Sequence, residues 1–419
     1  MVVVKVKIKK RKAYNADKAD LLSLLLVIYI YLPFLGNLLN HTFSVSFIYE
    51  YLFYLVIAAC MLICIIRVNR KGCIFLAGFV CAISINFLVA SYHHYVLVEG
   101  LQAFVGIAIP CICIANRLFD IQIFLTKWYQ FALCSVPLCL LAIVLVKMRL
   151  ADYSIFTEIC VPNVFILSYM LLEGAANRVQ IYINVLINSL LVLFLGGRMS
   201  GIASVCMLLF AFLFSARVSF GKKIILLASI LFFIVLVFNN LYEIFFWLNS
   251  KLKEHGIYSR SITLLIGQLA GKGVYVTGRD VLYSLCIEYV KGRGGLPGGF
   301  GVPLFITSGK YYYTHNIILQ FLVSFGIGGS ILVVGMMKTR FRFLRKAATK
   351  ECRRFLYFML FSYLFIGMTG SSIWIHYLST IFIAVFFFGS GRQYQVELPQ
   401  KSGLNRGMGR RLPNEENIK

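Results

Sequence analysis

The stretch from Cys73 to Ser91 reads CIFLAGFVCAISINFLVAS and contains no charged residue. As a helix it is long enough to cross the hydrocarbon core of a bilayer, which is about 30 Å thick and needs roughly 20 apolar residues. Similar runs recur along the chain, in which 60% of the residues are hydrophobic and only 14% are charged. The sequence therefore predicts an all-α polytopic integral membrane protein rather than a soluble one.

About twelve apolar runs have the length and composition of transmembrane helices. Their approximate cores are Leu21–Leu39, Ser44–Ile66, Cys73–Ser91, Val96–Ala115, Phe131–Val146, Ile155–Leu172, Val179–Leu195, Ser200–Phe214, Ile224–Val237, Asn316–Met336, Phe355–Met368 and Trp374–Phe388. They predict a single membrane domain over residues 21–390, with a basic segment at 1–20 before it and a basic tail at 391–419 after it.

The basic residues are distributed unevenly between the two sides that this topology defines. About three quarters of the 41 lysines and arginines fall on the side that carries both termini, which the positive-inside rule assigns to the cytoplasm. This bias explains the net charge of +25 without a nucleic-acid partner. The N-terminal KVKIKKRK run is not expected to be a cleaved signal peptide, because the apolar segment behind it has full spanning length and no small-residue cleavage site.

One long outer loop, residues 240–314, separates the ninth and tenth predicted helices. Within it, GRDVLYSLCIEYVKG has the spacing of an amphipathic helix lying in the outer membrane interface. The predicted apolar face comprises Val281, Leu282, Leu285, Cys286, Tyr289 and Val290, and the predicted polar face comprises Asp280, Glu288 and Lys291. The following GRGGLPGGFGVP segment predicts turns that bend the loop back onto the membrane domain, and the three tyrosines at 311–313 are typical of an interfacial belt.

Two arginines stand out on this outer side, because charge at membrane depth is costly and by default points to function. Arg198, in LFLGGRMSGIAS, lies between two predicted helices with almost no loop, and its glycines leave room for a ligand or for close backbone approach. Arg279, in VTGRDVLYSL, opens the loop helix, where free N–H groups and the helix dipole favour an anion. The competing interpretations are a snorkelling arginine at a tight turn for Arg198, and an ion pair with Asp280 or an exposed charge for Arg279.

His315 is predicted to begin the tenth helix, with Thr314 as its N-cap. An imidazole at this surface can act as a general base near neutral pH, although a lone histidine is more often an interfacial hydrogen-bonding residue. Gly326, Gly328 and Gly329 are expected to allow tight helix contact below it. The twelve cysteines mostly lie in apolar runs, and none has a partner at metal-ligand spacing, so no metal site is predicted.

These residues resemble motifs of the bacterial O-antigen ligase and Wzy-type O-antigen polymerase superfamily. The family pattern is His, then Asn, Ser or Gln, nine residues, Gly, two residues, then Gly, Thr or Tyr. His315, Asn316, Gly326 and Gly329 match all of its positions. The arginines in GGRMSG and TGRDVLYSL resemble the two arginine sites of the family, and the similarity extends over about Val179 to Ser330.

The resemblance implies a multi-pass protein of the bacterial inner membrane, with its active site facing the periplasm. It implies inverting transfer of a glycan from undecaprenyl diphosphate to a lipid-linked repeat unit, without metal or cofactor. The donor and acceptor glycolipids are then its partners, and a chain-length regulator protein is a further one. His315 would accept the acceptor's proton, and Arg198 and Arg279 would offset the charge of the leaving diphosphate. Arg260, Tyr313 and Asn316 are weaker candidates for substrate contacts.

Two other functions stay open from the sequence. An O-antigen ligase would transfer the same chain to lipid A core, and neither charge nor spacing separates it from a polymerase. A lipid-linked oligosaccharide flippase would also have about twelve helices and a basic inner side. A flippase should show polar or broken helices at matching positions of two halves, whereas here the polar residues gather in one outer loop and its flanks.

Overall fold

The computed structural model describes residues 17–43, 47–65, 70–116, 119–151, 153–174, 178–215, 218–238, 240–271, 278–347, 350–369 and 376–384. Every regular element in these ranges is a helix, and none of the described residues forms a strand. The predicted all-α class is therefore confirmed.

The helices are numbered here in chain order. They are α1 Asp17–Ile30, α2 Leu32–Phe43, α3 Phe47–Cys64, α4 Arg70–Val89, α5 His93–Ile114, α6 Ile121–Leu133, α7 Val136–Lys147, α8 Ser154–Glu173, α9 Arg178–Phe194, α10 Arg198–Phe214, α11 Phe220–Phe238, α12 Leu241–Glu254, α13 Arg260–Leu269, α14 Arg279–Gly292, α15 Val302–Ile306, α16 Ile317–Ala347, α17 Lys350–Thr369 and α18 Tyr377–Ile383. Within α5, the stretch Phe104–Ala108 is a π-helix.

Several of these helices are long and apolar enough to cross a membrane. Among the described residues, four satisfy this requirement alone: α4, α5, α8 and the part of α16 from Ile317 to Arg345. The pairs α1–α2 and α6–α7 each bend by 52° at a short break, and counting each pair as one span gives up to six. The predicted runs Leu21–Leu39 and Phe131–Val146 each cross one of these two breaks, so neither is a single straight helix. Twelve spans and cytoplasmic termini stay predictions.

Helix α8 lies at the centre of the bundle, where it packs against α2, α6, α7, α9, α10 and α17. Its buried Asn163 is hydrogen-bonded to three side chains of neighbouring segments. Asn163 Oδ1 accepts from the hydroxyl of Tyr31 at 2.6 Å, and Asn163 Nδ2 donates to Asn188 Oδ1 and Ser135 Oγ, each at 2.8 Å. Because a buried polar group without a partner is costly, these bonds favour one alignment of the helices.

Helix α16 is interrupted at Gly326, whose backbone has φ 67° and ψ −176°. A loop segment lies against this break, and we call residues Gly295–Gly301 the glycine strap. The backbone N–H of Ile327 donates to Gly295 O at 2.9 Å, and the N–H groups of Gly298 and Gly299 donate to carbonyls of α16 at 2.9 and 3.0 Å. A Cβ on Gly326 would lie 2.5 Å from Gly295 O. Gly326 therefore allows backbone pairing with the glycine strap, and not the helix-to-helix contact predicted from the sequence. A Cβ on Gly328, which was predicted to share that contact, would meet open space.

The other side of the glycine strap is held by α4 and the start of α5. The side chain of Asn86 donates to Gly298 O at 3.0 Å and accepts from the Phe300 N–H at 2.8 Å. The hydroxyl of Tyr92 donates to Gly298 O at 2.7 Å, and Glu99 accepts from the Gly301 N–H. The glycine- and proline-rich segment therefore joins α4 and α5 to α16.

Helix α14 uses a narrower apolar face than its sequence predicts. Leu282, Cys286 and Val290 are buried, and the helix packs against α16, whereas Val281 is 60% exposed. Asp280, Glu288 and Lys291 are exposed, as expected. A stripe at i, i+4 and i+8 covers the contact with α16, and the helix also packs against the short α15.

Candidate functional site

Five of the described helices begin with an arginine, and three of them concern the site: α10 with Arg198, α13 with Arg260 and α14 with Arg279. All three arginines are partly exposed. Burial lowers the pKa of Arg198, and the positive charges of Arg279 and then Arg260 lower it further. Arg279 and Arg260 are thus each close enough to Arg198 for their charges to act on it. We call Arg198, Arg260 and Arg279 the arginine cluster.

Arg198 is placed by the tight turn between α9 and α10. The N–H of Gly197 donates to Thr157 Oγ1 on α8 at 3.2 Å. A Cβ on Gly201 would lie 2.7 Å from the Cα of Leu193, so α9 and α10 are in close backbone contact there. The glycines around Arg198 therefore serve close approach of two helices, one of the two roles that the sequence leaves open for them.

Arg260 is placed by serines on either side of it. Ser259 Oγ accepts from the Ile262 N–H at 3.2 Å, which caps α13, and it donates to Phe194 O at the end of α9. Ser261 Oγ donates to Gly196 O. Because Gly196 lies two residues before Arg198, these bonds hold the start of α13 beside the start of α10. Arg260 Nη1 also donates to the hydroxyl of Tyr153 at 3.0 Å.

Arg279 follows Gly278, which adopts the left-handed conformation with φ 72°. A Cβ on Gly278 would lie 2.8 Å from the hydroxyl of Tyr311, so glycine is needed for both conformation and space. Among the described residues, Arg279 forms no ion pair with Asp280, which removes that competing interpretation. The preceding Thr277 of the TGR motif lies outside the described residues.

His315 lies just before α16 in an uncommon backbone conformation, with φ 55°. Its carbonyl accepts from the hydroxyl of Tyr283 on α14 at 3.3 Å. Thr314 supports the turn by donating its hydroxyl to Asn316 O at 2.7 Å. A left-handed non-glycine residue persists only where the surroundings hold it, and such residues often occur at functional sites.

The prediction that Thr314 caps the tenth helix is wrong, because α16 begins at Ile317 and Asn316 is its N-cap. Asn316 Oδ1 accepts from the backbone N–H groups of Ile318 and Leu319, at 2.9 and 3.2 Å. Asparagine is among the residues preferred at the N-cap, which is consistent with Asn316 taking this position in place of Thr314. It also gives Asn316, expected to contact substrate, a structural role for its side-chain oxygen.

The imidazole of His315 is neutral at pH 7. Burial lowers its pKa to about 4, with a further contribution from the positive charge of Arg279. Its Nδ1 is buried and has no hydrogen-bond partner among the described residues, and its ring centroid lies 4.3 Å from that of Tyr313. The free base is thus the resting form, although the pKa lies well below the near-neutral value expected from the sequence.

Arg279 relates the predicted residues to one another, because its charge acts on Arg198, Tyr313 and His315, and Arg260 also acts on Arg198. Tyr313 connects them: burial raises the pKa of its hydroxyl, Arg279 lowers it, and Tyr153 and Glu158 raise it.

Tyr153 and Glu158, both near the start of α8, were missed as site residues. Glu158 is one of the few acids within apolar runs, and that scarcity was the only signal available in the sequence.

Such an arrangement can bind an anion strongly. Guanidinium groups form bidentate hydrogen bonds to phosphate oxygens, and each of the three stands at a helix start, the end of a helix that favours an anion. No protein-family model matches the chain, and no curated protein matches it.

Proposed function

We propose that this protein is a membrane glycosyltransferase, a polysaccharide polymerase that extends a glycan carried on undecaprenyl diphosphate. The observation that carries the proposal is the arginine cluster beside a neutral His315, at the outer end of the predicted topology. The family resemblance of the same residues supplies the substrate class.

The transfer exchanges one bond at the anomeric carbon of the donor. The hydroxyl oxygen of the acceptor repeat unit forms a bond to that carbon, and the bond from the carbon to the diphosphate oxygen breaks. The electron pair leaves with undecaprenyl diphosphate, and the hydroxyl proton passes to His315. The arginine cluster stabilises the charge that develops on the leaving diphosphate.

Binding of the diphosphate is also expected to raise the pKa of His315. The positive charge of Arg279 is one cause of the low pKa of His315, and a bound anion offsets that charge. The imidazole therefore becomes more basic once donor is present, which suits a group that must accept a proton during transfer.

The experiment is a lipopolysaccharide ladder on a gel, from the native host lacking this gene and complemented with the wild type or a variant. A core that carries one repeat unit in the deletion strain, and a ladder restored by the wild type but not by His315→Ala, support the polymerase. Bare core with accumulated lipid-linked polymer would identify a ligase instead, and an unchanged ladder would exclude both.

A matched control separates chemistry from folding. His255 is an exposed histidine at the end of α12, so His255→Ala should restore the ladder fully. Membrane accumulation of His315→Ala must equal that of His255→Ala. A His315→Ala protein that accumulates normally and restores a normal ladder would contradict the assigned role.

A further inference from the structure

The first two turns of α12 carry large apolar side chains that the protein does not bury. Residues 241–248 read LYEIFFWL, and four of these side chains are exposed: Tyr242, Ile244, Phe246 and Trp247. Phe246 is 56% exposed and Trp247 is 61% exposed. Apolar side chains grouped in this way mark a surface that contacts a partner or a membrane.

One stripe of α12 is already covered by the protein. The less exposed side chains follow helical spacing along the whole helix, at Leu241, Phe245, Leu248, Asn249 and Leu252. Helix α12 packs against α13, and the hydroxyl of Thr263 on α13 donates to Asn249 Oδ1 at 3.5 Å. The stripe therefore fixes α12 to the helix that begins with Arg260.

The exposed apolar side chains lie on both flanks of this stripe. Tyr242 and Phe246, four residues apart, lie on one flank, where their rings stack with centroids 6.1 Å apart. Ile244 and Trp247, three residues apart, lie on the other flank. A docked protein covers one side of a helix, whereas lipid surrounds every side that the protein leaves free. The arrangement therefore favours lipid.

The polarity of α12 changes along its length. Glu243 is the one charge within residues 241–248, and it lies in the first turn, where the helix dipole favours an acid. The last two turns carry three exposed charges, Lys251, Lys253 and Glu254. One end of α12 is therefore suited to an apolar medium, and the other end is suited to water.

The apolar end of α12 directly follows a predicted membrane span. Helix α11 ends at Phe238, and α12 begins at Leu241. The charged residues of α11, Lys222 and Lys223, lie in its first turn, and the rest of its sequence is apolar. The first turns of α12 thus come where the chain leaves the hydrocarbon core.

We propose that α12 is an interfacial anchor, whose residues 241–248 insert among the headgroups and upper acyl chains of the leaflet at which α11 ends. Tyrosine and tryptophan are stable at this depth, because their rings are apolar and carry one polar group. Residues 249–254 project into water. Because α12 packs on α13, the anchor also sets the position of Arg260 relative to the membrane surface. The anchor does not depend on the proposed reaction.

Tryptophan fluorescence of the full chain in phosphatidylcholine nanodiscs tests the anchor. Bromine on a lipid chain quenches a nearby tryptophan, and iodide quenches one that water reaches. The wild-type emission minus that of Trp247→Phe is the signal of Trp247, because Trp128 and Trp374 are present in both proteins. We expect this signal to lose most of its intensity with bromine on the upper acyl chain, less with bromine near the chain end, and little with iodide.

Two matched variants in the Trp247→Phe background test the rest of the helix. Phe246→Trp reports on the opposite flank and should be quenched by bromine as Trp247 is. Lys253→Trp reports on the polar end and should be quenched by iodide more than by bromine. Bromine quenching on one flank alone would overturn insertion of the whole apolar end.

The other outcomes for Trp247 also overturn the anchor. Quenching by iodide without quenching by bromine would place this side chain in water. Protection from both quenchers would show that protein covers it, and the mass of each particle would then distinguish a second copy of the chain from a single one. If Trp247→Phe does not accumulate, Trp247→Tyr gives the same difference signal and keeps an interfacial ring.

Discussion

The arginine cluster acts on His315 through the charge of Arg279, and the glycine strap pairs with α16, the helix that follows His315, but the two are built from different parts of the chain. The arginine cluster consists of long side chains at helix starts, next to short turns and small residues. The glycine strap consists of backbone groups that are hydrogen-bonded to α16 on one side and to the side chains of Asn86 and Tyr92 on the other. Under the proposed function, side chains supply the chemistry, and backbone packing sets the position of the helix that follows His315.

The largest effect is expected in the glycine strap, from Gly326→Ala. The left-handed backbone alone costs an alanine about 1–3 kcal/mol, and its Cβ would also lie 2.5 Å from Gly295 O. We expect Gly326→Ala to lose both thermal stability in detergent and activity. Gly328→Ala, two residues on in open space, is the matched control and should keep both. Equal stability and activity of the two variants would show that neither property requires a glycine at the break in α16.

Arg279→Ala should show the opposite pattern, a loss of activity without a loss of stability. Removing one group that stabilises charge in a transition state typically costs about 10²–10³ in rate. Arg279 is partly exposed and forms no ion pair among the described residues, so the melting temperature should change little. Lys253→Ala, which removes an exposed charge from α12, is the control for general electrostatics. A large drop in the melting temperature of Arg279→Ala would assign this arginine to the fold.

The pH dependence of the site tests the link between the arginine cluster and His315. With a pKa of about 4, the imidazole stays neutral between pH 7 and 5 and gains its proton only as the pH falls towards 4. Arg279→Gln removes one cause of the low value and should raise the pKa, while burial keeps it below the ordinary 6.5. An NMR titration of labelled histidine, assigned with His315→Ala, measures both values. Titration of His315 near 6.5 in the wild type would contradict the buried geometry.

The smallest effect is expected at the N-cap of α16. Asn316→Ala removes the side-chain oxygen that accepts two backbone N–H groups, and loss of such a cap typically costs about 1 kcal/mol. Asn316→Asp keeps an acceptor oxygen and should preserve stability. Thermal unfolding in detergent compares the two variants. Full stability of Asn316→Ala, with activity lost, would favour the substrate contact expected from the sequence over the capping role.

The sequence predicts the parts of this structure that depend on local pattern. Apolar runs predict the helices, and helical spacing predicts α14 together with its water-facing Asp280, Glu288 and Lys291. Isolated charges point to Arg198 and Arg279, because an arginine beside an apolar run has few structural uses.

What the sequence does not predict depends on distant contacts. The bend between α6 and α7, the pairing of Gly326 with Gly295 and the place of Glu158 beside the turn of Arg198 each join residues from different elements. The low pKa of His315 likewise comes from burial and from Arg279, which precedes it by a whole helix and a loop. The local periodicity of a sequence carries no information on such contacts.

The most direct test of the central claim uses the purified wild-type chain and undecaprenyl-diphosphate-linked repeat units from a host that lacks this gene. The account predicts that longer lipid-linked glycans appear, that one free undecaprenyl diphosphate is released for each new linkage between repeat units, and that Arg198→Ala and His315→Ala produce neither. Glycan extension at the wild-type rate by both variants would contradict a site built from the arginine cluster and His315.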